Sequence, residues 1–188
     1  MSRLHGKEST LTMQGFSDRD LGVLRKRDAL AGVRCWYPKD GALVGVYGKK
    51  WEPGPHRAAC TVHLNDHADT MIPSWSCWCG FWAGYTTGSL RDSSYGEKPV
   101  VGVIRGWGRM TGGNQGFRAE RAEITGLHLA YEYVKLRENT GTSDYYVPPE
   151  SAWKLREDEA ALAERYPGIP FYPSIDAMLE AHPIRRKK

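Results

Sequence analysis

The stretch from Pro99 to Ile124, PVVGVIRGWGRMTGGNQGFRAERAEI, constrains this chain more than any other. Val100, Val101, Val103 and Ile104 are β-branched, and branched side chains favour the extended backbone of a pleated sheet. Glycines at 102, 106 and 108 interrupt the run around Trp107. Glycine inside a strand marks a bulge or a close approach of backbone, so this strand is expected to be bent. Thr111-Gly112-Gly113-Asn114 supplies a chain reversal. On the return, the repeat Arg118-Ala119-Glu120-Arg121-Ala122-Glu123 suits a helix as well as a strand. The continuation through Leu127, Leu129, Tyr131 and Tyr133 has a period of two and favours the strand. The segment reads as a long central hairpin.

The flanking sequence extends the same pattern. Val33 to Tyr37 is β-prone and ends at Pro38, the turn Lys39-Asp40-Gly41 follows, and Ala42 to Tyr47 forms the return strand of a hairpin. After the reversal at Glu52-Pro53-Gly54-Pro55, Arg57 to Leu64 fits a third short strand, and Gly88 to Lys98 reads as a surface loop. Residues 1–16 are polar without periodicity and are expected to be disordered. Ser17 and Asp20 have the spacing of a capping box, and Leu21, Leu24 and Leu30 can share a face. That predicts a helical arm over 17–31, either packed on the domain or binding a partner. At the other end, Pro148 and Pro149 precede a helix from Glu150 to Arg165 with Ala152, Leu155, Leu162 and Tyr166 on one stripe. Pro167-Gly168 ends it, residues 169–172 are extended, and Ser174 caps a second helix with Ile175, Met178 and Leu179 inward.

The expected fold is a single α+β domain over 17–183: a bent antiparallel sheet or small partly open barrel with C-terminal helices packed on it. Its β-rich core covers 32–135 and its helical cover 148–183, followed by a basic tail at 184–188. A length of 188 residues and 40% hydrophobic content suit one such domain. No apolar run approaches the ~20 residues that span a bilayer, and the N-terminus lacks the apolar core of a signal peptide. A soluble cytoplasmic protein with no membrane partner is expected. The net charge is +4, yet residues 35–184 carry 15 basic and 18 acidic side chains, so the basic excess lies in the termini. Such ends steer toward phosphate or keep a protein soluble.

Cys60 and the pair Cys77-x-Cys79, with His63 and His67 between, offer three thiolates and an imidazole for a tetrahedral structural zinc ion. Zinc accepts such a set because it has no d-electron geometry to satisfy. Buried free thiols are the alternative, and a disulfide does not suit a reducing compartment. Six of the seven tryptophans fall between Trp36 and Trp107. Trp75, Trp78 and Trp107 are candidate stacking surfaces, or simply core. Arg118 and Glu120 are candidate binding residues. With Arg121, Glu123 and the proton carriers His63, His67 and His128 they also make the best catalytic set. As a strand, Arg118 and Glu120 would face one way and Arg121 and Glu123 the other, which is equally what a solvated salt-paired face provides. Phosphate-loop, dinucleotide-binding, nucleophile-elbow and zinc-protease motifs are absent.

These residues together resemble a family of small, mostly uncharacterised proteins of actinobacteria and their phages. The resemblance rests on Trp51-Glu52-Pro53-Gly54, on Cys60 with Cys77-x-Cys79-Gly80, on Val100 to Gly108 ending in Trp-Gly, and on Gly116-Phe117-Arg118-Ala119-Glu120. Ala163-Glu164-Arg165-Tyr166 before Gly168-Ile169-Pro170 adds to it, and the span is roughly residues 33–172. The resemblance implies a compact cytoplasmic domain without an established activity, and it groups Cys60, Cys77 and Cys79 as a set. The leading expectation is a non-enzymatic binding or accessory protein, phage-encoded, that engages a host or phage protein. Its alternatives are a nucleic-acid binder using the basic termini and a small enzyme with an Arg/Glu/His site.

Overall fold

The computed structural model describes residues 19–45, 48–60, 71–74, 77–91, 100–129 and 150–185. In chain order the elements are β1 (Arg19–Leu24), a single 3-10 turn (Lys26–Asp28), β2 (Leu30–Lys39), β3 (Ala42–Val44), β4 (Lys50–Trp51) and β5 (His56–Arg57). They continue with β6 (Phe81–Gly84), α1 (Gly88–Arg91), β7 (Val100–Gly112), β8 (Gly116–Leu129), α2 (Glu150–Arg165) and α3 (Ile175–Ala181).

The central hairpin is β7 with β8, paired from Val100↔Leu129 to Gly112↔Phe117 and closed by Gly113 N–H donating to the Gly116 carbonyl at 2.9 Å. Its register shifts twice, between Val103 and Ile104 and between Trp107 and Met110. The second shift contains Gly108 at φ +79°, a left-handed backbone open to glycine at little steric cost. Bulges sharpen twist, so the hairpin curls and offers both edges to other strands.

Along the free edge of β7, β2 pairs from Leu30↔Gly106 to Trp36↔Val100, and β1 takes the remaining length from Leu24↔Gly108 to Arg19↔Gly112. Along the free edge of β8, β6 pairs with residues 116–119, β5 with 121–122, and Leu127 forms a parallel bridge with Phe171. The β6 strand then meets β2 at Val33↔Gly84. This partly closes a bent, mostly antiparallel sheet into a ring, with β3 and β4 continuing from β2. Inside, Phe117 is fully buried between two glycines: a Cβ at Gly32 would stand 2.7 Å from its Cε1, and one at Gly106 2.5 Å from its Cε2. Only bare backbone leaves room for that ring.

The main core includes Trp36, Leu43, Trp51, Phe81, Ile104, Met110, Phe117, Leu127, Leu162 and Tyr166. A second cluster, Val33, Cys35, Val101, Val103 and Met178, lies where α3 packs, with Ile175 and Leu179 at its margin. Neighbouring residues 33–36 are thus buried on both faces of β2. Full burial of a side chain such as Met178 contributes roughly 1.5–3 kcal/mol, which fixes α3 on the sheet. Ser174 caps that helix through its hydroxyl, which accepts from Ala177 N–H at 3.1 Å. Directly after α2, the Tyr166 hydroxyl accepts from Leu43 N–H at 2.9 Å and donates to the Trp51 carbonyl, tying the end of the helix to β3 and β4. The α+β architecture, the hairpins and both C-terminal helices agree with the sequence expectation.

The helical arm over 17–31 is a correction. Residues 19–24 are a strand, residues 26–28 a 3-10 turn, and β2 has begun by Leu30. Asp20 is no helix cap. Its Oδ1 accepts from Gly22 N–H at 2.7 Å across a bulge, and Gly22 sits at φ +78°. A short isolated helix nucleates poorly, whereas the open edge of β7 satisfies this backbone at once. Pro38 does not end β2 either, because pairing to β7 stops at Trp36 and no β7 carbonyl awaits its missing N–H. The reversal at Asp40 and Gly41, φ 52° and 66°, is the left-handed pair of a tight hairpin. Residues 88–91 form a short helix where a loop is expected. Of the strand expected over 57–64, only Arg57 lies in a strand, β5, and residues 58–60 are not in one. The expected disordered residues 1–16, the expected strand residues 46–47 and 61–64, and Tyr131 and Tyr133 lie outside the described residues. No helix among the described residues is long and apolar enough to cross a membrane.

Candidate metal centre

Cys60 and the 77–79 turn are brought together by β8. Ala58 N–H donates to the Glu120 carbonyl at 2.8 Å, which lays the chain before Cys60 along the β8 edge. On the other side β6 pairs with β8 directly after Cys79-Gly80. Gly80 has φ +105°, and a Cβ there would stand 3.1 Å from Pro73 Cβ and 3.3 Å from the Ala119 carbonyl. The turn is thereby pressed onto the sheet.

The thiols of Cys60, Cys77 and Cys79 are all buried, and their three sulfurs lie within 4.8 Å of one another. Cys60 Sγ and Cys77 Sγ are 3.5 Å apart, and Ser74 N–H points at Cys79 Sγ at 3.4 Å. Burial pushes the Cys77 thiol up to about 12, with the neighbouring sulfurs adding to the rise and a backbone bond from Cys79 opposing it. Three thiolates cannot coexist so close in a dry site without a cation. The three residues are therefore close enough to hold a metal ion, and they are a soft donor set for one. None of the four cysteines forms a disulfide, and Cys35 stands apart in the second cluster.

Arg118 organises the loop. It is 2% exposed, and its Nη1 donates to the carbonyls of Ser74 at 3.0 Å, of Cys79 at 3.5 Å and of Cys77. Its guanidinium lies 5.1 Å from the Trp82 ring centroid. Trp82 in turn stacks on Trp78 at 5.8 Å and 21°, and its indole N–H donates to the Trp78 carbonyl at 2.8 Å. One buried cation thus gathers the carbonyls of the segment that carries two of the three thiols.

Among the other candidate residues, Trp78 is 40% exposed on this loop, whereas Trp107 is 7% exposed with Lys26 Nζ 5.2 Å from its ring. Glu120 is not paired with Arg118. It accepts from Arg57 Nε at 3.2 Å and from Arg109 N–H at 3.2 Å, and Arg121 Nε stands at ion-pair distance, 3.7 Å. Glu123 binds Lys26 Nζ at 2.6 Å. The strict alternation that would separate Glu120 from Arg121 fails because the bulge at Gly108 shifts the register there. His128 Nδ1 lies 2.9 Å from the Tyr172 carbonyl, away from this group. His63, His67 and Trp75 lie outside the described residues. Sequence reading did not find Trp82, Arg57, Arg109 or Lys26 as members of these groups. Arg57 stands more than 60 residues from Glu120, and only strand pairing reveals their contact.

Comparison of the chain with known protein families, with curated proteins and with solved structures finds no match.

Proposed function

We propose that the chain is a non-enzymatic binding protein whose Cys60, Cys77 and Cys79 hold a structural zinc ion, which fixes the Trp-bearing loop beside the sheet. The observation that carries the reading is the buried trio of sulfurs within 4.8 Å. Tetrahedral zinc with Zn–S bonds of about 2.3 Å sets its sulfurs ~3.8 Å apart, and the Cys60–Cys77 separation is 3.5 Å. His63 and His67, which follow Cys60 closely in sequence, are the candidates for the fourth position. A histidine in the fourth position would close this buried site, which supports a structural role over a catalytic one, since catalytic zinc keeps a position open to water or substrate. The ion-paired state of Glu120 and Glu123 supports the same reading. The macromolecule engaged is met at the face this loop helps to build.

The test is metal content after purification without chelator. One zinc per chain is expected, with loss in Cys77→Ser and in the His63→Ala, His67→Ala double variant. Uptake by the apoprotein must release protons, because burial holds the Cys77 thiol protonated without metal and zinc binds the thiolate. Removal of zinc should loosen the 71–80 region while the sheet, which has its own core, keeps its circular dichroism. Purified chain without metal, whose stability is unchanged by added zinc, would refute the proposal.

A further inference from the structure

We infer that the partner is single-stranded nucleic acid, held along the sheet face that runs from Trp78 and Trp82 across β8 to Lys26; the inference rests on the binding-protein reading above. Strand register lays out this face. Trp82 is opposite Arg118, and Arg57 is opposite Arg121 on the same edge of β8. The two pairs are three residues apart, about 10 Å along a strand. On the β7 side, Trp107 is opposite Arg121 and Arg105 is opposite Glu123. Lys26 reaches over from its turn to Trp107 and Glu123.

Two features of this strip point to a polyanion. First, Arg57 and Arg121 are direct cross-strand partners that share one carboxylate, Glu120, so this position carries two cations against a single anion. Second, the carboxylates lie beneath the cations. The side chains of Arg57, Arg121 and Lys26 are 56%, 49% and 52% exposed, while those of Glu120 and Glu123 are 18% and 17% exposed. The acids hold the cations in place from below, and the outer surface is positive. Guanidinium forks match phosphate oxygens in pairs, which suits a strip in which arginine outnumbers lysine. At its end the stacked Trp78–Trp82 pair, with Trp78 40% exposed, presents an aromatic face of the kind on which unpaired bases stack. A row of phosphate-binding cations ending in an open aromatic platform suits a single strand, because base faces are hidden in a duplex.

The experiment is fluorescence anisotropy of a labelled 20-nucleotide single strand, and of the matching duplex, with the full-length chain over a series of NaCl concentrations. Binding should favour the single strand and weaken linearly in log–log with salt. Arg57→Ala with Arg121→Ala should reduce the salt slope by about 1.4, at about 0.7 for each phosphate no longer neutralised. Trp78→Ala should weaken binding about 5- to 150-fold. Glu120→Gln should tighten it, an outcome that loss of folding cannot produce. Neutralising Arg186, Lys187 and Lys188 should have the smaller effect. The inference is overturned if the wild type fails to bind, if duplex binds as well, if the tail variant abolishes binding while the arginine variant does not, or if an acidic polypeptide competes equally. Zinc measured on the same sample separates the two proposals. A zinc-loaded chain that ignores the single strand refutes this inference alone, and a metal-free chain that binds it refutes the zinc site alone.

Discussion

Replacing Arg118 by Met keeps the stem volume and removes the guanidinium. Three carbonyls, of Ser74, Cys77 and Cys79, then lose their shared donor within a buried site. A buried acceptor left without a partner costs about 1–3 kcal/mol. The Cys79 bond is long at 3.5 Å, so it counts for little. The Ser74 carbonyl keeps Cys77 N–H at 3.4 Å, so one full loss, at the Cys77 carbonyl, plus the cation–π contact with Trp82, worth roughly 0.5–2 kcal/mol, puts the expected destabilisation at about 1.5–5 kcal/mol. Domains of 150–250 residues lose about 2–4 °C of melting temperature per kcal/mol, so Arg118→Met should melt about 3–20 °C below the wild type. Arg118→Lys should fall between the two, since an ammonium keeps the charge without the planar fork. Differential scanning calorimetry measures the shift. Thiol labelling in the native state should show Cys77 and Cys79 reacting faster as the loop opens. A melting temperature for Arg118→Met within about 2 °C of the wild type would refute the idea that this cation holds the cysteine loop.

Three further outcomes are expected. Tyr166→Phe leaves Leu43 N–H and the Trp51 carbonyl without their common partner, which should cost about 2–4 kcal/mol in urea unfolding; an unchanged midpoint would show that α2 is not tied to the sheet this way. Gly116→Ala places a Cβ against the Ala83 carbonyl, a backbone atom with no rotamer to yield, and should destabilise by about 2 kcal/mol or more while weakening β6 pairing, read by amide exchange at 81–84. His182 is held below its usual value of 6.5, first by burial and then by Arg105. The unfolded chain then binds the extra proton more readily, so this contribution is fully present above about pH 6.5 and is lost as pH falls below it. Unfolding free energy measured from pH 8 to 5 should decline through that window, and His182→Asn should flatten the decline.

Much of the fold was legible because it rests on local chemistry. β-Branched runs, the glycine-rich bend, the Asp40-Gly41 turn, the Pro-initiated helix and the Ser174 cap each act over a few residues, and all appear where the sequence places them. The N-terminal segment misled for the complementary reason. Its leucines and its Ser-x-x-Asp spacing have helical form, but the partner that decides its structure is the edge of β7, some 80 residues away. The cysteine set was legible as a set through its spacing and residue type. Its depth was not, because burial depends on how Gly80 and Arg118 press the loop to the sheet.

Residue order alone specified a glycine-bent hairpin, an α+β composition and three cysteines able to meet. Packing between distant segments settled which cations stand outward and which turn inward. Arg118 and Arg121 are three residues apart on one strand, yet one is buried under a loop that begins more than 40 residues upstream and the other is half exposed beside Arg57. Side-chain fate in a sheet is set by what covers each face and each edge, and those covers come from distant chain.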